Sequence, residues 1–125
     1  MTGESPVCFI TGGASGIGAA CVSAFAAAGY CVALGDIQEE KGRLLATGLG
    51  ASVLFSRLDV RSESDFAGAV QAALGRWGRL DCVVNNAAVA GVLGPIAEIP
   101  LDEYEYTCSV VQRSVFIGMR EAGKA

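Results

Sequence analysis

The run Thr11-Gly12-Gly13-Ala14-Ser15-Gly16-Ile17-Gly18 directly follows the apolar run Val7-Cys8-Phe9-Ile10, and its residue types suit the binding of a phosphate. Glycines let a backbone turn tightly and approach a ligand, and a helix beginning after such a turn points unpaired N–H groups at an anion. The helix dipole adds about +0.5 charge at the same place. A glycine-rich turn alone is a weak signal, because surface turns carry glycine for purely steric reasons. Asp36 strengthens it. It closes a second apolar run about 24 positions after Gly12, where a dinucleotide fold puts the carboxylate that hydrogen-bonds a ribose diol. An acid there repels a 2′-phosphate, and neither Ala14 nor Ile37 offers such a phosphate a basic partner, so NAD is expected over NADP. The plainer alternative is a solvated turn aspartate.

These residues need elements to position them. Short apolar runs bounded by glycine or polar residues alternate with longer stretches of helical period, which predicts repeated βαβ units and a parallel sheet. Strands are expected near 7–11, 31–36, 53–58 and 80–85. Ile17, Ala20, Cys21, Ala24, Phe25 and Ala28 recur at spacings of three and four, predicting a buried crossover helix that Gly29 stops in a left-handed conformation. A more polar helix over 37–48 turns Leu44, Leu45 and Leu49 to the sheet, with Glu39 and Glu40 at its positive end. Ser62-Glu63-Ser64-Asp65 opens a third helix as a capping pair that satisfies two otherwise orphaned N–H groups, and Phe66, Val70, Ala73, Leu74 and Trp77 mark its buried stripe. After a loop from Gly91 to Pro100, a last helix from about Leu101 carries the stripe Tyr104, Cys108, Val111, Val115 and Met119.

Composition narrows the function classes. The chain has 125 residues, enough for one domain and too few for two, and 52% are hydrophobic, which suits a sheet buried on both faces. A net charge of −4, with only scattered basic residues such as Arg76 and Arg79, argues against nucleic acid or an anionic membrane as partner. No apolar run approaches the roughly 18 residues of a membrane span. The start Met1-Thr2-Gly3-Glu4-Ser5-Pro6 lacks a basic region and a signal core, so a cytoplasmic protein is expected. Cys8, Cys21, Cys31, Cys82 and Cys108 lie far apart with no C-x-x-C, and read as reduced core residues. Histidine is absent and no cysteines or carboxylates are spaced for zinc, which excludes a metal site and histidine-dependent triads.

The glycine spacing G-x-x-x-G-x-G, from Gly12 through Gly16 to Gly18, departs from the fingerprint G-x-G-x-x-G. Together with Leu58-Asp59-Val60 after the third strand and Asn85-Asn86-Ala87-Ala88 after the fourth, it resembles the short-chain dehydrogenase/reductase family. The resemblance runs over essentially the whole chain, through Ser114-Val115-Phe116-Ile117-Gly118-Met119-Arg120, and covers the first half of the family's domain. It implies a doubly wound, Rossmann-like α/β fold over 1–125, with about four parallel strands in order 3-2-1-4, ending before a fifth. It also implies that Gly12, Ser15, Gly16, Ile17 and Gly18 surround the pyrophosphate and adjacent ribose, that Asp36 takes the adenine ribose, and that Asp59 and Val60 flank the adenine. Asn86, Ala87 and Ala88 resemble the family's N-A-G segment beside the cofactor, with Ala88 where glycine is usual. Asn85 is expected to hold neighbouring strands. The plainer reading of the asparagine pair is a self-satisfied turn at a strand end.

The family's reaction, hydride exchange between an alcohol or ketone and the nicotinamide, uses a tyrosine as acid/base, a lysine four residues on and a serine. Tyr30, Tyr104 and Tyr106 are followed four positions later by Leu34, Cys108 and Val110, and the only lysines are Lys41 and Lys124, so the chain has no Y-x-x-x-K. Val111 stands where the family carries an asparagine in its proton relay. The expectation is a cofactor-binding half, inactive alone, with no catalytic residue. Its fourth strand then becomes an apolar edge and its last helix a surface for self-association. A nucleotide-binding or partner-interaction module and a truncated product without an independent role are the alternatives.

Overall fold

The structure is a computed structural model that describes residues 5–125, so most of the N-terminal stretch read for a signal, 1–4, lies outside the described residues. Four strands, β1 (Val7–Thr11), β2 (Cys31–Asp36), β3 (Val53–Arg57) and β4 (Cys82–Val84), form one parallel sheet in the order β3-β2-β1-β4. Helices α1 (Gly16–Ala27), α2 (Glu39–Leu49) and α3 (Glu63–Trp77) are the crossovers. A 3₁₀ turn at Ile96–Glu98 leads into α4 (Leu101–Cys108), a π turn (Ser109–Arg113) and α5 (Ser114–Gly123). The expected fold class is what the chain adopts. The third and fourth strands are shorter than 53–58 and 80–85, and α2 starts two residues later than the expected 37.

Every residue of β1 and β2 is buried, which is why these runs are continuously apolar rather than alternating. Side chains from successive positions go to opposite faces. Cys8, Ile10, Val32 and Leu34 pack with Val22 of α1 and Ala46 of α2, while Phe9 and Ala33 pack with Phe66 and Ala69 of α3 and Ile117 of α5. The sheet is therefore wound on both sides. Cys8 and Cys31 are buried, Cys21, Cys82 and Cys108 are half-buried, and all five are free thiols. Burial pushes the Cys8 thiol well up from its ordinary value, which keeps it protonated.

Helix ends follow local chemistry where the sequence supplied it. Gly29 (φ 91°) and Gly78 (φ 75°) take the positive φ that follows a helix. Ser62 caps α3 by accepting from the Asp65 N–H at 3.1 Å. The reciprocal half of that pair is absent: the Asp65 carboxylate instead accepts from the Asp59 N–H at 3.0 Å and from Arg57 at 3.2 Å. The Ser62 N–H donates to the Asp59 carbonyl at 2.9 Å.

Three buried stripes differ from those expected. On α1 Gly18 and Val22 are buried and the expected Cys21 and Phe25 pack half-buried against the same core, whereas Ile17, Ala20, Ala24 and Ala28 are exposed; the stripe is shifted toward Gly18, whose missing side chain lets the start of the helix sit on the glycine turn. On α2 Leu45 and Leu49 pack half-buried on the core as expected, but Leu44 faces solvent, and the buried positions are Gly42 and Ala46, where the Phe55 ring leaves no room for a Cβ at position 42. The last helix carries a π turn within it, and Tyr104, Val111 and Met119 lie on its exposed side. The packed side runs through Val110, Ser114, Ile117, Gly118 and Glu121. Two of those are polar and were invisible to a search for apolar residues. Ser114 donates to the Val110 carbonyl, and Glu121 pairs with Lys124 and Arg120.

Candidate functional site

The ends of β1, β2 and β3 and the residues after β4 border one cavity of about 520 Å³, within the range of small-molecule sites. Its position, beyond the carboxyl ends of parallel strands where the order reverses between β1 and β4, is the crevice in which open α/β sheets bind ligands. The glycine turn forms the centre of the floor. Gly12 takes φ 66°, and a Cβ there would stand 2.9 Å from the Ala87 Cα and from the Asn86 Nδ2. Gly18 is tighter: its Cβ would stand 2.0 Å from the Gly12 carbonyl oxygen. The N-terminus of α1 is thus seated directly on the turn, and the first N–H groups of a helix have no partner within it. Ile17, 78% exposed, is an apolar side chain bordering the cavity rather than packing in the core.

Asp36 ends β2 and is 7% exposed. Its Oδ2 accepts from the Ala14 N–H at 3.0 Å and its Oδ1 from the Gln38 N–H at 2.9 Å, so the carboxylate ties the end of β2 to the glycine turn. Each oxygen retains a further lone pair, and the residue borders the cavity. The solvated-aspartate alternative does not describe this buried, doubly bonded group. Gln38 reaches back over the turn, its Nε2 donating to the Ser15 Oγ at 3.4 Å.

Thr11 and Asn86 lock β1 to the segment after β4. The Thr11 Oγ1, buried at the end of β1, accepts from the N–H groups of Asn86 and Ala87, both at 3.0 Å. The Asn86 Nδ2 donates to the carbonyls of Thr11 at 3.0 Å and Gly12 at 3.1 Å. Asn86 therefore ties the neighbouring strand ends, and although its N–H also meets the Val84 carbonyl locally at 3.0 Å, its side-chain bonds are long-range rather than those of a self-satisfied turn. The Asn85 Oδ1 lies against Gly118, where a Cβ would stand 2.2 Å away.

At the far end, Asp59 and Arg61 form a two-point ion pair, Nε to Oδ1 at 3.1 Å and Nη2 to Oδ2 at 2.8 Å. The Arg61 side-chain hydrogen bonds, ahead of its charge, hold the Asp59 carboxyl below the usual 3.8. A depressed carboxylate contributes stability that is present above its unfolded value and lost as pH falls through its folded one. We expect unfolding free energy measured in urea to fall as pH drops below about 4, and to fall less steeply in Arg61→Ala. An unchanged slope in that variant would show that the pair does not couple to folding.

Of the expected site residues, Gly12, Ser15, Ile17, Gly18, Asp36, Asp59, Val60, Asn86, Ala87 and Ala88 all border the cavity. Gly16 does not; it takes φ 57° at the exposed start of α1. Sequence reasoning missed Gln38, Arg61, Tyr106 and Val110 as cavity residues, and missed the Thr11 hydroxyl as the bond to Asn86. Arg61 had a signal, since it follows Asp59-Val60 directly. Tyr106 and Val110 had none, because they arrive from α4 and the π turn across the fold.

The family model described as short chain dehydrogenase matches residues 6–125. The chain is 36% identical over 122 residues to the (21S)-21-acetoxyl-apo-melianone synthase SDR of Melia azedarach, covering 97% of this chain and 45% of that protein. It is 37% identical over 121 residues to (+)-borneol dehydrogenase 2 of Salvia officinalis, covering 94% of this chain and 43% of that protein. Among solved structures, 3-ketoacyl-(acyl-carrier-protein) reductase from Brucella melitensis complexed with NADH superposes with a TM-score of 0.90 at 29% identity, over 96% of this chain and 50% of that one. The chain thus spans about half the length of the curated relatives it matches.

Proposed function

This chain belongs to the short chain dehydrogenase family, and from that premise we propose that its cavity holds the adenosine and pyrophosphate end of NAD in an alcohol or ketone oxidoreductase. The observation that carries the reading is the junction of Asp36, the glycine turn and the start of α1 around one cavity. In this reading Ser15, Ile17 and Gly18 offer backbone N–H groups and Gly12 close approach to the pyrophosphate, and Asp36 accepts from the ribose hydroxyls. Val60 and Asp59 border the base, and Asn86, Ala87 and Ala88 hold the wall opposite α1. A bound nicotinamide supplies the hydride acceptor or donor. The NADH complex of the Brucella reductase, on the same fold, supports a nicotinamide dinucleotide as the ligand.

NAD rather than NADP follows from the charges. Asp36 would meet a 2′-phosphate with a carboxylate, and Arg61, the one cation bordering the cavity among the described residues, is already paired through Nε and Nη2 with Asp59. Asp36→Ala is expected to weaken NAD binding by about 1–3 kcal/mol, or roughly 5- to 150-fold, in calorimetry on a variant whose melting confirms that it folds. Unchanged affinity would remove the ribose assignment.

These 125 residues contain no Y-x-x-x-K, so the acid/base group must come from outside them, and binding without turnover is the expected behaviour of this chain. Oxidation of NADH by the purified chain over a panel of carbonyl compounds would overturn that. The same absence favours a second reading, a nucleotide-binding module without chemistry. Free thiols throughout fit a reducing, cytoplasmic setting. The exposed side of α4 and α5, with Tyr104, Phe116 and Met119, is where we place self-association.

A further inference from the structure

One end of the cavity is walled by a stacked pair that the glycine turn and Asp36 do not account for. The Arg61 guanidinium is pinned by Asp59 and lies over the Tyr106 ring, 5.1 Å from its centroid. The Arg61 backbone is tied down as well, its carbonyl accepting from Arg113 of the π turn at 2.8 Å. Both side chains border the cavity and both remain close to half exposed, 45% for Arg61 and 44% for Tyr106. The loop after β3 and helix α4 thereby present a fixed, planar, cationic surface to the cavity, with Val60 and Val110 beside it.

The order β3-β2-β1 orients a nucleoside with respect to that surface. A phosphate seated at α1 beyond β1 and a sugar at Asp36 beyond β2 direct the attached base to the strand beyond, at the end of β3. Asp59 orients Arg61 there through both oxygens, so a base at that end meets the exposed face of the stack beside the carboxylate.

We propose that Arg61, oriented by Asp59 and backed by Tyr106, is the platform that selects a purine at the base end of the ligand by stacking on the ring. The proposal rests on the dinucleotide reading above. Stacking of a guanidinium on an aromatic face is worth a few-fold to tens of fold in affinity, and a purine offers more ring area than a pyrimidine. Arg61 determines specificity by touching the ligand, and Tyr106 is a positioning residue that acts through Arg61.

Calorimetric titration of the 125-residue chain with NAD and with nicotinamide cytosine dinucleotide tests it. Wild type should prefer the purine ligand, and Arg61→Ala should weaken NAD by about 2- to 30-fold while narrowing that preference. Arg61→Lys keeps the charge and loses the plane, so it should behave like Arg61→Ala. Tyr106→Phe keeps the ring and should match wild type, whereas Tyr106→Ala should lose the preference in part. Wild-type NAD binding with an unaltered preference in Arg61→Ala, or full retention in Arg61→Lys, overturns the platform alone. Equal weakening of both ligands in every variant also overturns it, since that marks general damage rather than base selection. Failure of wild type to bind either dinucleotide overturns the cofactor reading, and the platform with it.

Discussion

Gly18→Ala is expected to lower the melting temperature of the chain by about 10 °C or more and to abolish measurable NAD binding. The added Cβ would stand 2.0 Å from the Gly12 carbonyl oxygen and 2.6 Å from the Asn86 Nδ2, and relief to ordinary contact needs the start of α1 to move by about 1.4 Å. The obstruction is backbone, not the flexible end of a side chain, so rotation cannot relieve it. Overpacking of this kind costs about 3 kcal/mol at the upper end of its usual range. The movement also takes the N–H groups at the start of α1 away from the turn they share with Gly12. Gly48→Ala in α2 and Gly68→Ala in α3 are the controls, because a Cβ at either meets nothing within 4 Å. Both should stabilise by about 0.5–1 kcal/mol through helix propensity. Gly18→Ala melting alongside wild type would show that the helix is not seated on the turn.

The parts of the site legible in the sequence were those written in local chemistry. A glycine at positive φ, an acid at a strand end and a serine cap each depend on a few neighbouring residues, and so Gly12, Asp36 and Ser62 could be placed before the fold was known. The apolar runs separated by helical periods made parallel βαβ units legible, whereas the strand order came from the family resemblance. Phase was not legible. Which side of α1 or α5 faces the sheet depends on close approach at Gly18 and Gly118, where a missing side chain is the signal and an apolar search scores nothing. The π turn at Ser109–Arg113 has no counterpart in the apolar spacing. The Arg61–Tyr106 contact and the Thr11–Asn86 lock join residues 45 and 75 positions apart, beyond any local rule.

That lock carries the second large expected effect, because Thr11→Val keeps the shape of the side chain and removes only its polar atom. The Ala87 N–H loses its acceptor, and the Asn86 N–H is left with the Val84 carbonyl at 3.0 Å. An unsatisfied N–H costs about 1–3 kcal/mol when buried, and with Ala87 half-buried the substitution should cost about 1–2 kcal/mol. The Asn86 side-chain bonds to Thr11 and Gly12 survive the change, so β4 should stay in register while the segment Asn86 to Ala88 loosens from the glycine turn. Urea denaturation should therefore show lost stability with an unchanged slope, and NAD affinity should fall with it. Thr11→Ser retains the hydroxyl and should remain within about 1 kcal/mol of wild type. A double-mutant cycle of Thr11→Val with Asn86→Ala should give a coupling above about 0.5 kcal/mol, since both substitutions cut the same junction. Additive effects would mean that the hydroxyl and the amide stabilise separate parts of the fold, and that the turn and the segment after β4 are not held as one wall of the cavity.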